Sequence, residues 1–271
     1  MIHDAALCFR VLPLQRRRGL SPHDDAPPSV ECWVDECTRR ASDEEVVARE
    51  RTAVADDLAQ VPQGTDELIA WFDGLPESRI GRRDAPSSWL TADASLDDMC
   101  WFLDQQQACN DALRLLSDAS RLQCPAASAR ATQDALPEHE EAQESPSVVR
   151  LWSALGRSRR YALQSQGALS VFALTSPARA LGVSSGLRRL GWPQGREHLV
   201  RLGATHDAWQ ARAWNEDMLR PLMAANPRCG HAFAEGALMC LSAGARALAT
   251  YRAQSATSTT GSRATGGGHR G

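Results

Sequence analysis

A short glycine- and serine-rich segment has the residue spacing of a nucleophile elbow. Residues 182–186 read Gly-Val-Ser-Ser-Gly, which matches the G-x-S-x-G pattern that presents a catalytic serine between a strand and a helix. Ser184 would be the nucleophile, with a base and an acid taken from His206, Asp207 or His231. The preceding residues Thr-Ser-Pro-Ala-Arg-Ala-Leu, however, indicate a capped helical turn instead of a strand. A serine hydrolase that uses Ser184 is therefore one alternative function.

The same segment also has the pattern of a DNA-binding helix-turn-helix. The helix-turn-helix would lie near residues 177–192, and Ala178 and Leu181 would pack its first helix. Gly182 would occupy the turn, and Ser184 would cap the second helix. The segment resembles the A-x-x-L-G-V-S run of many bacterial regulators, and this resemblance implies binding of duplex DNA. The residues that would contact phosphates or guanine edges are Arg188, Arg189 and Arg196.

The histidines and cysteines do not have the spacing of a metal site. Cys229 and His231 are two residues apart, but no partner pair follows at zinc spacing. The run Glu138–Glu141, with the sequence Glu-His-Glu-Glu, is typical of a solvated charge cluster. We interpret His198 and His206 as surface or helix-capping residues. The sequence therefore predicts no metal site and no cofactor.

The chain contains no lysine, since all 30 of its basic residues are arginine. This absence excludes P-loop enzymes and protein kinases, which need a lysine to bind phosphates. It also excludes enzymes that form a Schiff base through a lysine amine. Codon bias in a GC-rich genome explains the absence, and selection against ubiquitin acceptor sites is the alternative explanation.

Cysteine usage and hydropathy predict a location inside the cell. The eight cysteines form no C-x-x-C pair, which is typical of reduced thiols. In the N-terminal sequence the arginines follow the apolar residues, which is the reverse of a signal peptide. No apolar run has the length that a membrane span needs. We therefore expect a cytoplasmic protein without a membrane span, or one exported without a classical signal peptide.

Charge is divided unevenly along the chain. Residues 1–144 hold 14 Arg and 28 Asp or Glu, a net charge of −14. Residues 145–205 hold nine Arg and one acid, a net charge of +8, and residues 206–271 have a net charge of +3. This asymmetry indicates that the basic half binds DNA, an acidic protein partner or the acidic half of its own chain.

Apolar periodicity and helix caps predict a mostly α fold with helical bundle-like packing. The expected helices cover residues 42–60, which a capping box opens at Ser42, and residues 65–74, 96–122, 147–174, 205–222 and 229–253. A further helix would begin at Pro177. The predicted regions are an acidic helical region 1–123 with an irregular N-terminal part, a linker or long loop 124–147, a basic helical region 148–253 and a disordered tail 254–271.

Small residues recur every four positions in the last expected helix and indicate a close helix–helix contact. The residues assigned to packing inside the fold or to a partner interface are Gly236, Cys240 and Gly244. Together with scattered tryptophans and the charge asymmetry, they favour a non-catalytic α-helical adaptor with a protein partner. Such an adaptor would be an accessory component of a bacterial secretion system or another multiprotein system. The two alternatives are the DNA-binding regulator and the serine hydrolase.

Overall fold

Every regular element in the described part of the chain is a helix, which confirms the predicted mostly α fold. The computed structural model describes residues 30–82, 86–105, 109, 147–191, 205, 208–213 and 215–264. The α-helices are α1 Val30–Ala53, α2 Ala55–Leu58, α3 Thr65–Gly74, α4 Arg79–Arg82, α5 Pro86–Ala92, α6 residues 96–105, α7 Ser147–Arg157, α8 Ala162–Arg189, α9 residues 208–213, α10 Arg220–Ala225 and α11 Arg228–Ala264. A 3₁₀-helix over Arg159–Tyr161 precedes α8, and a π-helix over Asn215–Leu219 precedes α10.

The main hydrophobic core lies between α1, α2, α3, α7, the first half of α8 and α11. Trp152 and Phe72 are fully buried in it. Phe72 packs edge-to-face on Phe233 at a centroid distance of 4.9 Å, and Trp152 packs in the same way on Phe172 at 4.7 Å. These aromatic contacts join α3 to α11 and α7 to α8, so the two longest apolar helices form the centre of the bundle.

Helices α8 and α11 touch through their backbones. A Cβ atom on Gly236 would lie 1.9 Å from the carbonyl oxygen of Gln164, and one on Gly167 would lie 1.8 Å from the carbonyl oxygen of Phe233. Neither position can hold a side chain unless the helices separate. Glycine at both positions therefore sets the distance between the two central helices.

Helix α8 continues through the segment in which the sequence predicted a break. Pro177 lies inside α8, so the predicted new helix at this residue is wrong. Proline removes one backbone donor and displaces the preceding turn. Two side-chain bonds lie beside Pro177: Thr175 Oγ1 donates to the carbonyl of Val171 at 2.8 Å, and Arg179 Nη2 donates to that of Phe172 at 2.6 Å.

A second hydrophobic cluster holds α5 and α6 against the C-terminal half of α8. Gly186 faces α5 so closely that a Cβ there would lie 2.3 Å from the carbonyl oxygen of Leu90. Ser95 and Asp98 form the predicted cap of α6. The amide of Ser95 donates to Asp98 Oδ2 at 2.7 Å, and the amide of Asp98 donates to Ser95 Oγ at 3.2 Å.

Several helix ends differ from the predicted ones. Helix α1 begins at Val30 and passes through Ser42, so the predicted capping box is wrong. The helix expected over 147–174 is interrupted at Ser158, whose backbone is extended. The last helix continues to Ala264 instead of ending at residue 253. Residues 265–271, and all but one residue of the predicted linker 124–147, lie outside the described residues, and the regional division stays a prediction.

One described helix has the length and apolar character of a membrane span, over Arg228–Gln254. Just over half of its most apolar window, 56%, is buried inside the fold. The central helix of a water-soluble bundle has the same properties. The expected absence of a membrane span therefore stays a prediction.

We predict that replacement of Gly236 by alanine destabilises the fold. The new methyl group would meet the backbone of α8, and overpacking of this kind costs about 1–3 kcal/mol of unfolding free energy. Chemical denaturation of the two proteins measures this difference. Gly74→Ala is the matched control, because a Cβ at Gly74 meets no atom within 4 Å. A stability for Gly236→Ala equal to that of Gly74→Ala would contradict the backbone contact.

Candidate functional site

A buried carboxylate at the crossing of α8 and α11 is held by side chains of α1 and α8. Glu235 of α11 accepts a hydrogen bond from Arg51 Nε of α1 at 2.5 Å on Oε1. Its Oε2 accepts bonds from Arg51 Nη2 at 3.2 Å and from Gln164 Nε2 of α8 at 2.8 Å. Glu235 is 6% exposed, and both of its oxygens have partners. The position of Glu235 follows from the crossing, because Gly236 is its neighbour in sequence.

The electrostatic balance at Glu235 favours its ionised form. Burial alone would raise the pKa of this carboxyl, but the bonds from Arg51 and Gln164 and the positive charge of Arg51 outweigh burial and lower the pKa. The hydrogen bond to Glu235 in turn raises the pKa of Arg51. Glu235 is therefore a charged structural group at neutral pH, and it does not carry a proton that it could donate.

A second buried polar pair lies between α8 and the π-helix. Ser170 Oγ donates to Asn215 Oδ1 at 2.5 Å, and Asn215 is fully buried. Asn215 is the first residue of the π-helix, an irregularity that is frequent at functional sites. Its Nδ2 group has no hydrogen-bond partner among the described residues. This amide can therefore donate a hydrogen bond to a bound water or ligand.

A second buried carboxylate links α1 to α11. Glu50 is completely buried and forms an ion pair with Arg246 Nη2, while Arg49 Nε lies 3.6 Å from its other oxygen. Asp43 of α1 pairs with Arg157 of α7 at 2.9 Å. Acidic residues of the N-terminal part thus meet arginines of the later helices.

The structure places Ser184 inside a helix and not at a nucleophile elbow. The whole Gly182–Gly186 segment belongs to α8, and Ser184 is 3% exposed. An elbow needs a strand that enters the turn, and α8 provides helix on both sides. Of the proposed partners, His231 is exposed at the start of α11, and His206 and Asp207 lie outside the described residues. The serine hydrolase prediction is therefore wrong.

The arginines predicted to bind DNA lie at the end of the same uninterrupted helix. Arg188 is exposed, whereas Arg189 Nε donates to the carbonyl of Thr91 at 3.0 Å and its Nη2 to that of Ala94. Arg196 lies outside the described residues. Because α8 runs through Gly182 without a turn, the predicted helix-turn-helix is absent. Arg189 instead binds the last carbonyls of α5 and the turn after it.

The predicted packing residues lie on α11. Gly236 contacts the backbone of α8, and Cys240 is buried in the main core. Gly244 is half-buried, one residue after the carbonyl of Ala243 that accepts a bond from Ser147 Oγ. The structure brings Gly236 and Cys240 into the interior. The sequence missed Arg51, Glu235 and Asn215, because no local spacing connects residues that are so distant along the chain.

The described residues contain no group of three or more His, Cys, Asp or Glu that could bind a metal ion. Among them the only histidine is His231, which is exposed. The run Glu138–Glu141 and the histidines His198 and His206 lie outside the described residues. The most buried carboxylates, Glu50 and Glu235, each form an ion pair with an arginine, and Oε1 of Glu50 accepts no hydrogen bond from a described residue.

We predict that Arg51 and Glu235 stabilise the fold as a unit. Removal of Arg51 would leave a buried charge paired only with Gln164, at a cost of about 2–3 kcal/mol because Arg51 is itself half-exposed. Denaturation of Arg51→Gln, Glu235→Gln and the double variant should give strongly non-additive losses. Additive losses would contradict the coupling.

The stabilisation by Glu235 should also depend on pH. Because the folded pKa of Glu235 is lowered, its contribution is complete above the unfolded pKa of about 4.3 and is lost as the pH falls toward the folded value. The stability difference between the wild type and Glu235→Gln should therefore shrink between pH 6 and pH 3, measured by denaturation at each pH. A pH-independent difference would show that the carboxylate charge is not responsible.

One comparison with known proteins identifies the family. Neither the curated proteins nor the solved structures contain a match to this chain. A family model described as iron-containing redox enzyme matches residues 100–245. The match extends from α6 to α11 and includes the α8–α11 crossing, and it contradicts the prediction of a non-catalytic adaptor. Because it covers more than half of the sequence, the chain belongs to this family of iron-containing redox enzymes.

Proposed function

We propose that the chain is an iron-dependent oxidoreductase. The observation that carries the proposal is the family match over residues 100–245. This span contains the central helices α7, α8 and α11 and the buried polar residues Glu235, Ser170 and Asn215. Bound iron would supply electron-transfer chemistry that protein side chains lack. Membership in this family leads us to expect an iron site, whereas the sequence alone predicted no metal site.

The described residues do not by themselves fit an iron site. Iron at nitrogen and oxygen sites is bound by imidazole and carboxylate ligands, and these residues bring no three such groups together. Within the matched span the buried carboxylate of Glu235 has both oxygens occupied by Arg51 and Gln164. The described residues alone therefore do not form a complete iron site.

Three histidines of the matched span lie outside the described residues, namely His139, His198 and His206. The sequence alone favoured solvent-exposed or capping roles for them. Membership in an iron-containing family gives an independent reason to test them as ligands, because imidazole is a frequent iron ligand. The fourth histidine of the span, His231, is described and exposed, and it serves as the control.

The described residues would supply a closely packed interior for the site. Trp152 and Phe233 are fully buried there. Two buried side-chain nitrogens, Trp152 Nε1 and Asn215 Nδ2, have no hydrogen-bond partner among the described residues, and the Asn215 amide would bind an acceptor atom of a ligand. Ser170 would keep the Asn215 side chain in place through its hydrogen bond.

We predict that the full chain, loaded anaerobically with Fe(II) and desalted, retains iron when measured by plasma mass spectrometry. Replacement of His139, His198 and His206 by alanine, one at a time, should weaken iron binding at least about tenfold for one or more variants, because each lost ligand removes a direct bond to the metal. Oxygen consumption with a chemical reductant should fall in the same variants.

The His231→Ala variant should retain the iron content and activity of the wild type. Iron content indistinguishable from that of a metal-free buffer control would contradict the proposed function. A loss of iron in His231→Ala alone would contradict the expectation that the ligands lie outside the described residues.

The predicted cytoplasmic location and the predicted acidic protein partner stay predictions.

A further inference from the structure

Three aromatic side chains meet where α5, α6 and α11 converge. Tyr251 of α11 stacks on Trp101 of α6 with a centroid distance of 3.8 Å and an angle of 11° between the rings. Trp89 of α5 approaches the same tyrosine edge-on at 6.0 Å. Trp101 and Tyr251 are half-buried, and Trp89 is buried. A diffusing molecule therefore has access to an edge of the stacked pair.

The Tyr251 hydroxyl has a dedicated proton acceptor. It donates to Asp98 Oδ1 at 2.8 Å. The other oxygen of Asp98, Oδ2, accepts bonds from the amide and the hydroxyl of Ser95 at 2.7 and 2.8 Å. These bonds lower the pKa of Asp98 although burial opposes them. Asp98 is therefore ionised at neutral pH and has one oxygen committed to the phenol.

The other tyrosine of the chain has a different environment. Tyr161 is 5% exposed, and the guanidinium of Arg160 lies 5.7 Å from its ring centroid. A positive charge beside the ring opposes removal of an electron. Among the described residues no carboxylate accepts a hydrogen bond from its hydroxyl. Tyr161 thus provides an internal control for Tyr251.

We propose that Tyr251 is a redox-active phenol that donates an electron through Trp101 while its proton passes to Asp98. The oxidant is an oxygen-centred radical of the kind that iron redox chemistry generates, so the physiological source of the oxidant rests on the proposed function. The radical takes one electron from the indole of Trp101 and becomes the corresponding anion. Tyr251 returns an electron to the indole, its O–H bond breaks, and Asp98 Oδ1 gains the proton.

The products of this step are a neutral tyrosyl radical, a protonated Asp98 and the reduced oxidant. The stacked geometry provides electronic contact between the two rings, and the hydrogen bond avoids a charged phenol cation. A positioned base commonly accelerates a proton transfer by about 10²–10⁴-fold. Asp98 acts here as the base and does not contact the oxidant, so it is a positioning and proton-accepting residue.

The test generates the oxidant without iron. Photo-oxidised tris(bipyridine)ruthenium(III) is formed by flash-quench in the presence of the full chain, and transient absorption and electron paramagnetic resonance follow the radicals. The variants are Tyr251→Phe, Tyr161→Phe, Asp98→Asn and Ser95→Ala. Asn at position 98 keeps an oxygen acceptor without the basicity of a carboxylate. Ser95→Ala removes the helix cap but leaves the carboxylate for Tyr251.

The wild type, Tyr161→Phe and Ser95→Ala should form a tyrosyl radical at similar rates. Tyr251→Phe should form none, and Asp98→Asn should form it about 100-fold more slowly. A tyrosyl signal that survives in Tyr251→Phe and is lost in Tyr161→Phe would overturn the proposal. So would an unchanged rate in Asp98→Asn. Because ruthenium replaces iron, this result is independent of whether the chain binds iron.

Discussion

The contact between the backbones of α8 and α11 determines where the other described helices lie. Gly167 and Gly236 allow the two helices to approach more closely than side chains would permit. This approach buries the residues beside the crossing, including Phe233 and Glu235. The apolar groups form the main core, onto which α3 and α7 pack. The same close approach also buries the Glu235 carboxylate, so other residues of the fold must neutralise its negative charge.

Helix α1 provides that neutralisation, which couples the N-terminal part of the chain to the family core. Arg51 lies outside the matched span and binds the Glu235 carboxylate inside it. Glu50, the preceding residue, pairs in the opposite direction with Arg246. Further acids of the N-terminal part, such as Asp43, also pair with arginines of the later helices. Among the described residues, ion pairs therefore join acids of the N-terminal part to arginines of the later helices.

Local signals in the sequence were reliable where local bonds decide the structure. The limits of α3 and the Ser95 cap of α6 follow from residues within one helical turn. Pro177 was misread as a helix start, since α8 continues through it and buries residues on both sides of it. The Arg51–Glu235 pair spans 184 positions, so no spacing rule connects its members. None of the short motifs considered in the sequence pointed to the family whose model matches residues 100–245.

The ion pair at Glu235 bears on whether this carboxylate could bind the iron of the proposed function. Glu235 accepts two hydrogen bonds from Arg51 and one from Gln164, which together use most of the acceptor sites of its carboxylate. Release of Arg51 would leave a buried, uncompensated charge and would loosen α1 from α11. A metal at Glu235 would therefore compete with the ion pair to Arg51, which is the pairing that the described structure holds. The described structure thus uses Glu235 to join α1 to α11, and the described residues around it contain no group of three that could bind a metal ion.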